Sequence, residues 1–217
     1  MRIGFIHTVG FLVESFRQRA IAELQGADCF HILNESLLQD LLRGAPKALV
    51  WRRVVAQIVL AAEAGADLIV DTCSSTSPAV DLARPLLQQP VLKIDDPMMA
   101  EAARIGGCIG LVCTATSTVE PSSALLAAHA AALGKQVTVV PCIEAEAYTA
   151  LMAGDRERHD SLVLAAARRL AAETDALVLA QASLARLQAP LHEASGKPVL
   201  ASPDLLMAEI RARLARA

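Results

Sequence analysis

The sequence lacks the features of membrane, secreted and nucleic-acid-binding proteins. No apolar run reaches the roughly 18 to 20 residues that a membrane-spanning helix needs, and the apolar run near Met1 is too short for a signal peptide. Charge of neither sign dominates, with 20 Lys and Arg against 23 Asp and Glu, and the basic residues form no patch that suits a phosphate backbone. We therefore expect a cytosolic protein that binds neither a membrane nor nucleic acid.

Disulfide, metal and nucleotide motifs are missing as well. The 5 cysteines are odd in number and irregularly spaced, which is typical of reduced thiols in a reducing compartment. The sequence predicts no metal site, because no cysteine pair has chelating spacing and four histidines have no ligand-like partner: His31, His129, His159 and His192. No glycine-rich loop stands in a phosphate-binding context.

The sequence does contain a regular alternation of short apolar runs and longer Ala/Leu-rich segments, and 54% of its residues are apolar. The short runs predict strands at 2–7, 67–72, 91–94, 108–113, 136–141, 176–180 and 198–201. The longer segments predict helices at 12–25, 47–64, 77–87, 97–105, 120–133, 157–173 and 203–215, whereas 29–43 fits either element. Apolar strands alternating with helices predict an α/β fold with mainly parallel sheets.

The sequence also matches itself at a shift of 108 residues, without a gap. The matched positions include Asp67 with Asp175, Pro90-Val91-Leu92 with Pro198-Val199-Leu200, and Met99-Ala100-Glu101 with Met207-Ala208-Glu209. Chance matches between Ala/Leu-rich segments are the alternative explanation. We interpret the pattern as an internal duplication. It predicts two pseudo-symmetric Rossmann-like lobes, one formed by 1–96 with a C-terminal helix at 203–217 and one by 97–202, with an active site in the cleft between them.

Asp71-Thr72-Cys73-Ser74-Ser75-Thr76-Ser77-Pro78 forms the loop after the second predicted strand. In parallel sheets, ligands bind beyond the carboxyl ends of strands. Hydroxyl groups and backbone amides before a helix bind anions and favour a thiolate, so Cys73 could be a base or a nucleophile with a lowered pKa. A small buried thiol beside an ordinary Ser/Thr cap is the alternative.

These features together resemble the cofactor-independent aspartate/glutamate racemase superfamily, which includes hydantoin racemases, maleate isomerases and arylmalonate decarboxylases. The resemblance rests on the duplicated halves, the strand-end Asp-Thr-Cys-Ser-Ser, the stretch 109–116 and the Leu-Met-Ala-Gly-Asp segment at 151–155. It implies catalysis without a cofactor or metal, with one cysteine from each lobe on either side of the substrate's α-carbon. It also implies that hydroxyl side chains hold the substrate carboxylate, here Thr8, Ser74, Ser75, Thr76, Thr114, Thr116, Ser117 and Thr118.

The sequence departs from the family pattern at the second cysteine. The repeat places Gln181 opposite Cys73, and a carboxamide does not titrate near neutrality. We expect Gln181 to orient substrate, with Ser183 as a secondary polar contact. His7, in the loop where the family often carries an acid, could be a base, a proton donor or a partner of the Cys73 thiolate. The alternative is a strand-end histidine that bonds to the backbone.

Two functional classes remain open at this point. The first is an enzyme acting at the carbon next to a carboxylate. It would be a racemase or epimerase, the isomerase class that we favour, if another group replaces the lost thiol, and a decarboxylase or isomerase if one thiol suffices. The second is a catalytically silent protein that binds small molecules on the same scaffold. Both imply a small carboxylate-bearing ligand and leave homo-oligomerisation open.

Overall fold

The computed structural model describes residues 1–216, and its chain divides into two compact units. Unit 1 comprises Met1–Asp96 and the chain from Asp204 onward, and unit 2 comprises Pro97–Pro203. Both units are α/β, and each contains a parallel four-stranded sheet. The expected C-terminal segment 203–217 ends at Ala217, which lies outside the described residues.

Unit 1 has the strand order β2-β1-β3-β4. Its sheet and helices follow one another as β1 (Arg2–His7), α1 (Gly10–Glu23), β2 (Asp28–Leu33), α2 (Ser36–Leu42), α3 (Lys47–Glu63), β3 (Leu68–Asp71), α4 (Pro78–Ala83) and β4 (Val91–Lys93). All four residues of β3 are buried, as expected for a central parallel strand with helices on both faces. Helix α3 packs through positions spaced three and four residues apart: Val50, Val54, Ile58 and Ala61.

Unit 2 repeats this arrangement with the order β6-β5-β7-β8. Its elements are α5 (Asp96–Ile105), β5 (Gly107–Cys113), α6 (Val119–Ala132), β6 (Val137–Ile143), α7 (Ala145–Met152), α8 (Arg156–Ala171), β7 (Ala176–Leu179), α9 (Gln188–Ser195) and β8 (Val199–Ala201), after which α10 (Ser202–Leu214) joins unit 1. In unit 1, Arg19 of α1 forms a 2.6 Å ion pair with Asp204 of α10. The contact fixes the start of the last helix on the first unit.

A pair of glycines explains part of the sequence repeat. Gly4 on β1 and Gly110 on β5 match when the sequence is shifted by 106 residues. A Cβ atom on Gly4 would lie 2.8 Å from the Phe30 ring, and one on Gly110 would lie 2.7 Å from the Leu170 side chain. Each sheet therefore needs a residue without a side chain at this point of its first strand.

The predicted α/β class and parallel sheets are confirmed. The predicted and observed elements differ in segments whose apolar residues do not recur with a clear helical or strand period. The ambiguous stretch 29–43 contains both β2 and α2, and α7 and α9 were not predicted. Strand β2 lies at the edge of its sheet and is half-buried, so its sequence does not read as a continuous apolar run. Within residues 1–216, we find no helix with both the length and the apolar character needed to cross a membrane.

Candidate active site

In unit 1, the carboxyl ends of neighbouring strands bring several of the predicted site residues together. His7 ends β1 and Thr8 follows it, and Cys73 follows β3, the neighbour of β1 in the sheet. The Thr72 backbone amide continues this pairing by donating to the Ile6 carbonyl at 3.0 Å. The loops after β1 and β3 are consequently in direct contact.

Cys73 lies in a shell of hydrogen-bond donors. Its side chain is largely buried, with 9% of the residue surface exposed. The Thr76 hydroxyl and backbone amide both donate to the Cys73 carbonyl oxygen at 3.1 Å. Together with the Thr8 hydroxyl they also lie near enough to the sulfur to oppose the rise of its pKa, which favours the thiolate. Ser74 and Ser75 are also buried in the same loop. The structure thus groups the predicted residues Thr8, Ser74, Ser75 and Thr76 around Cys73.

The predicted lowering of the Cys73 pKa is wrong. Burial raises the pKa of this thiol, the nearby Asp71 raises it further, and the hydroxyl and amide donors only partly oppose these effects. The expected helix N-terminus contributes little, because α4 begins at Pro78 and has only 6 residues. At rest, Cys73 is therefore held mainly as a thiol.

Both ring nitrogens of His7 are engaged within unit 1. Thr72 Oγ1 donates to the Ile6 carbonyl at 2.8 Å, so its oxygen must accept from His7 Nδ1 at 2.9 Å. His7 Nε2 then accepts from His31 Nδ1, also at 2.9 Å. The alternative of a structural histidine fits this geometry, although the bonds go to side chains and not to the backbone.

A pH prediction follows from this arrangement. Burial, with His31 alongside, lowers the pKa of His7 to about 3, so we expect the ring to stay neutral between pH 5 and 8, protonated on Nδ1. Nitrogen chemical shifts from NMR would measure this. An unfolded histidine binds a proton below about pH 6.5. The free energy of unfolding should therefore fall as the pH drops from 6.5 toward 3, by at most about 1.4 kcal/mol per pH unit from this group. Titration of His7 near neutrality would instead support a role as acid or base.

In unit 2, Gln181 lies beyond the end of β7 and bonds to the residue that follows β5. Its Oε1 accepts from the Thr114 backbone amide at 2.5 Å and from the Thr114 hydroxyl at 3.0 Å. The atom facing the amide must be the carboxamide oxygen, because an N–H can only donate.

The other predicted residues of unit 2 are less closely grouped. Residues 116–118 form a 3-10 turn in which Thr116 is exposed, Ser117 half-buried and Thr118 buried. Ser183 is half-buried, and its carbonyl oxygen accepts from the Arg186 side chain. Within unit 2, Gln181 is thus bonded to Thr114.

Sequence analysis missed two groups at this end of the unit 1 sheet, the half-buried His31 and the buried Asp71. His31 was expected to have no partner, yet it lies on β2 and bonds to His7. Asp71, the last residue of β3, is fully buried beside the Cys73 loop. A signal for Asp71 was available, since an acid directly after Leu68-Ile69-Val70 interrupts an otherwise apolar strand. His31 could be recognised only once 28–33 was known to be a strand.

Comparison with known proteins places the chain among racemases in fold and sequence pattern. The sequence model of the Asp/Glu/Hydantoin racemase family matches residues 10–210. A search of curated proteins found no match. Glutamate racemase from Thermus thermophilus is 22% identical, with 99% of this chain and 80% of that chain covered and a TM-score of 0.74. Allantoin racemase from Klebsiella pneumoniae is 21% identical, with 99% of this chain and 88% of that chain covered and a TM-score of 0.69. Aspartate racemase from Picrophilus torridus is 13% identical, with 96% of this chain and 91% of that chain covered and a TM-score of 0.72. These structural likenesses establish the fold.

Proposed function

This chain belongs to the Asp/Glu/Hydantoin racemase family, and from that membership we propose that it moves a proton on the carbon next to a carboxylate, with Cys73 as acid or base. Membership supports a racemase-type enzyme in general. The cysteine chemistry and the choice of this thiol are our proposal. No cofactor takes part in the proposed reaction.

The observation that carries the proposal is the donor shell of Cys73. The Thr8 and Thr76 hydroxyl groups and the Thr76 amide lie near enough to the sulfur to lower its pKa. Hydrogen bonds from such groups stabilise the anion, whereas burial favours the thiol. Cys73 is therefore a thiol at rest, with polar groups beside it that would help to stabilise the anion when its proton is lost.

We assign substrate binding to the hydroxyl groups near the strand ends. Ser74 and Ser75 lie in the loop of Cys73, and the Thr114 hydroxyl is held by Gln181. Hydroxyl and amide hydrogens are suitable donors to a carboxylate. We further propose that Gln181, which the repeat aligns with Cys73, serves the opposite face of the substrate carbon through its NH₂ group. It would orient the substrate there but would not deliver a proton.

A catalytically silent binding protein is the second candidate. Gln181 favours it, because the carboxamide at the second cysteine position cannot titrate and its oxygen is already bonded to Thr114. The two candidates share the same ligand chemistry. They differ in whether the α-proton of a bound ligand is released.

Deuterium exchange separates these candidates. The protein is incubated in deuterium oxide with amino acids, hydantoins and substituted malonates, without an added cofactor, and α-proton signals are followed by NMR. The proposed enzyme should exchange or decarboxylate at least one class of compound. Ligand-induced thermal stabilisation without exchange or decarboxylation across the panel would support the binding protein and contradict our proposal.

A further inference from the structure

A chain of hydrogen-bonding side chains crosses the unit 1 sheet beside the loop of Cys73. It runs from Thr72, directly after β3, to His7 at the end of β1 and on to His31 of β2. His31 lies opposite Phe5 in the register of β1 and β2, so it is a diagonal neighbour of His7 on the same face of the sheet. Neither the sequence analysis nor the proposed function gives His31 a role.

Every hydrogen in this chain has a defined direction. The Ile6 carbonyl has no hydrogen, so the hydrogen of the Thr72 hydroxyl must lie between these two oxygens, which are 2.8 Å apart. The Thr72 oxygen then accepts from His7 Nδ1 at 2.9 Å, and the Nε2 lone pair of the neutral His7 ring accepts from His31 Nδ1 at 2.9 Å. His31 is therefore the donor that decides which nitrogen of His7 carries the hydrogen.

Aromatic rings keep water away from this chain. Phe5 stacks on His31 at a centroid distance of 5.3 Å, and Phe16 of α1 lies 5.7 Å from the His7 ring. His7 and Thr72 are buried, whereas His31 is half-buried on the edge strand. A bond lost between buried groups is not replaced by water, so the bond from His7 to Thr72 depends on the donor that His31 supplies.

We propose that His31 is a positioning residue, which holds His7 in the tautomer that binds Thr72. Thr72 immediately precedes Cys73, and its backbone amide also donates to the Ile6 carbonyl at 3.0 Å. The start of the loop is thus fastened to β1 through both its backbone and its side chain. His31 acts only through His7 and Thr72. The importance of this chain for catalysis rests on the proposed function of Cys73.

The groups around His31 leave its donor in place over a wide range of pH. Arg17 and Glu14 of α1 lie on its outer side and pair with each other at 3.2 Å, and His7 faces it from β1. Burial, followed by the charge of Arg17, lowers the pKa of His31, and Glu14 opposes the shift. The ring is thus neutral near pH 7. Acidification would add a hydrogen to Nε2 and leave the Nδ1 donor in place.

Unit 2 forms its sheet without such a chain. The repeat shifts of 106 and 108 residues give the positions that match His7 and Thr72, and the strand register gives the position on β6 that matches His31. These positions hold a cysteine, an alanine and a proline: Cys113, Ala180 and Pro141. Alanine and proline side chains have no hydrogen-bonding group. This difference is expected if the chain serves the Cys73 loop and not the fold of the sheet.

The test uses two measurements without substrate. Nitrogen NMR reports which nitrogens of His7 carry hydrogen, and peptide mass spectrometry reports the rate at which iodoacetamide alkylates Cys73. The thiol is buried, so alkylation requires a local opening of its loop. Circular dichroism checks the fold of each variant.

His31→Asn and His31→Leu introduce side chains of similar size that differ in the donor. Asparagine places an amide N–H where His31 has Nδ1, so the His7 tautomer should persist and alkylation should stay within about twofold of wild type. Leucine has no donor, so Thr72 should be held less firmly and alkylation should rise by about two- to tenfold, the value of one net hydrogen bond. Equal alkylation rates in the two variants would overturn the proposal.

Ile32→Val is the matched control for packing. Ile32 follows His31 on β2, faces the other side of the sheet and packs against the core of unit 1. Valine should weaken this packing slightly and leave the alkylation rate within about twofold of wild type. A rise equal to that of His31→Leu would show that the loop responds to the strand and not to the chain, which would overturn the proposal.

His31→Asp reverses the outer bond of the chain. A carboxylate only accepts, so His7 Nε2 must then carry a hydrogen while Nδ1 still donates to Thr72. His7 should consequently be an imidazolium at neutral pH. A neutral His7 in the folded aspartate variant, or a wild-type ring protonated on Nε2 alone, would overturn the proposal. Failure of the proposed function would appear elsewhere, as undiminished α-proton exchange in Cys73→Ala, so the two failures are distinguishable.

Discussion

Replacement of Cys73 by alanine should reduce α-proton exchange by about 10² to 10⁴-fold, the usual contribution of a positioned acid or base. Within residues 72–77, which follow β3, Cys73 carries the only thiol, and the other side chains carry hydroxyl groups, which ionise far less readily. NMR detection of deuterium incorporation gives the rate directly. Cys73→Ser should be similarly impaired, since a hydroxyl ionises far less readily than a thiol.

Cys113→Ala is the matched control for this experiment. Cys113 ends β5 in unit 2, is fully buried, and has a pKa that burial, together with Cys142, raises to about 12. It should therefore behave as a core residue, and its replacement should leave exchange within a few-fold of the wild-type rate. Exchange that survives in Cys73→Ala but is lost in Cys113→Ala would transfer the acid–base role to unit 2.

Replacement of Gln181 by cysteine should raise inversion relative to exchange, by up to about 10² to 10⁴-fold. In the wild type, the proposed site has one thiol, so a proton removed on one side is returned mainly on the same side. A second thiol would supply a proton to the other face. The gain should be smaller than the maximum, because the change also removes the bonds of Gln181 to Thr114, and the groups around the new sulfur are arranged for a carboxamide.

Gln181→Ser separates the new thiol from the lost carboxamide. Serine is close to cysteine in size and loses the same bonds to Thr114, but it cannot act as an efficient acid near neutrality. It should therefore leave the ratio of inversion to exchange low. Equal ratios in the serine and cysteine variants would show that the gain, if any, comes from a more open site.

The sequence was most informative for strands whose side chains are buried on both faces of the sheet. Strands β3 and β7 are buried along their whole length, so their apolar runs and their shared register predicted the parallel sheets and the repeat. Edge strand β2 is only half-buried, and its mixed sequence left 29–43 ambiguous. Its histidine, His31, was consequently not connected with His7.

The candidate site was predictable in its residue types but not in its electrostatics. The loop sequence placed hydroxyl groups beside Cys73, and unit 1 groups Thr8, Ser74, Ser75 and Thr76 there. The sign of the Cys73 pKa shift could not be read from the sequence, because burial and the charge of Asp71 outweigh the hydrogen bonds that the loop supplies. Likewise, the low pKa of His7 depends on burial and on His31 across the sheet.

The central claim, that a single thiol works on one face of the substrate carbon, is tested most directly by comparing exchange with inversion. Once a substrate is identified, each enantiomer is incubated in deuterium oxide with the wild-type protein, and NMR and chiral chromatography follow the two rates together. Our account predicts that exchange is faster than inversion for at least one enantiomer, or that a malonate loses one carboxyl group without racemisation of its product. Inversion that keeps pace with exchange from both enantiomers would contradict it and require a second proton donor.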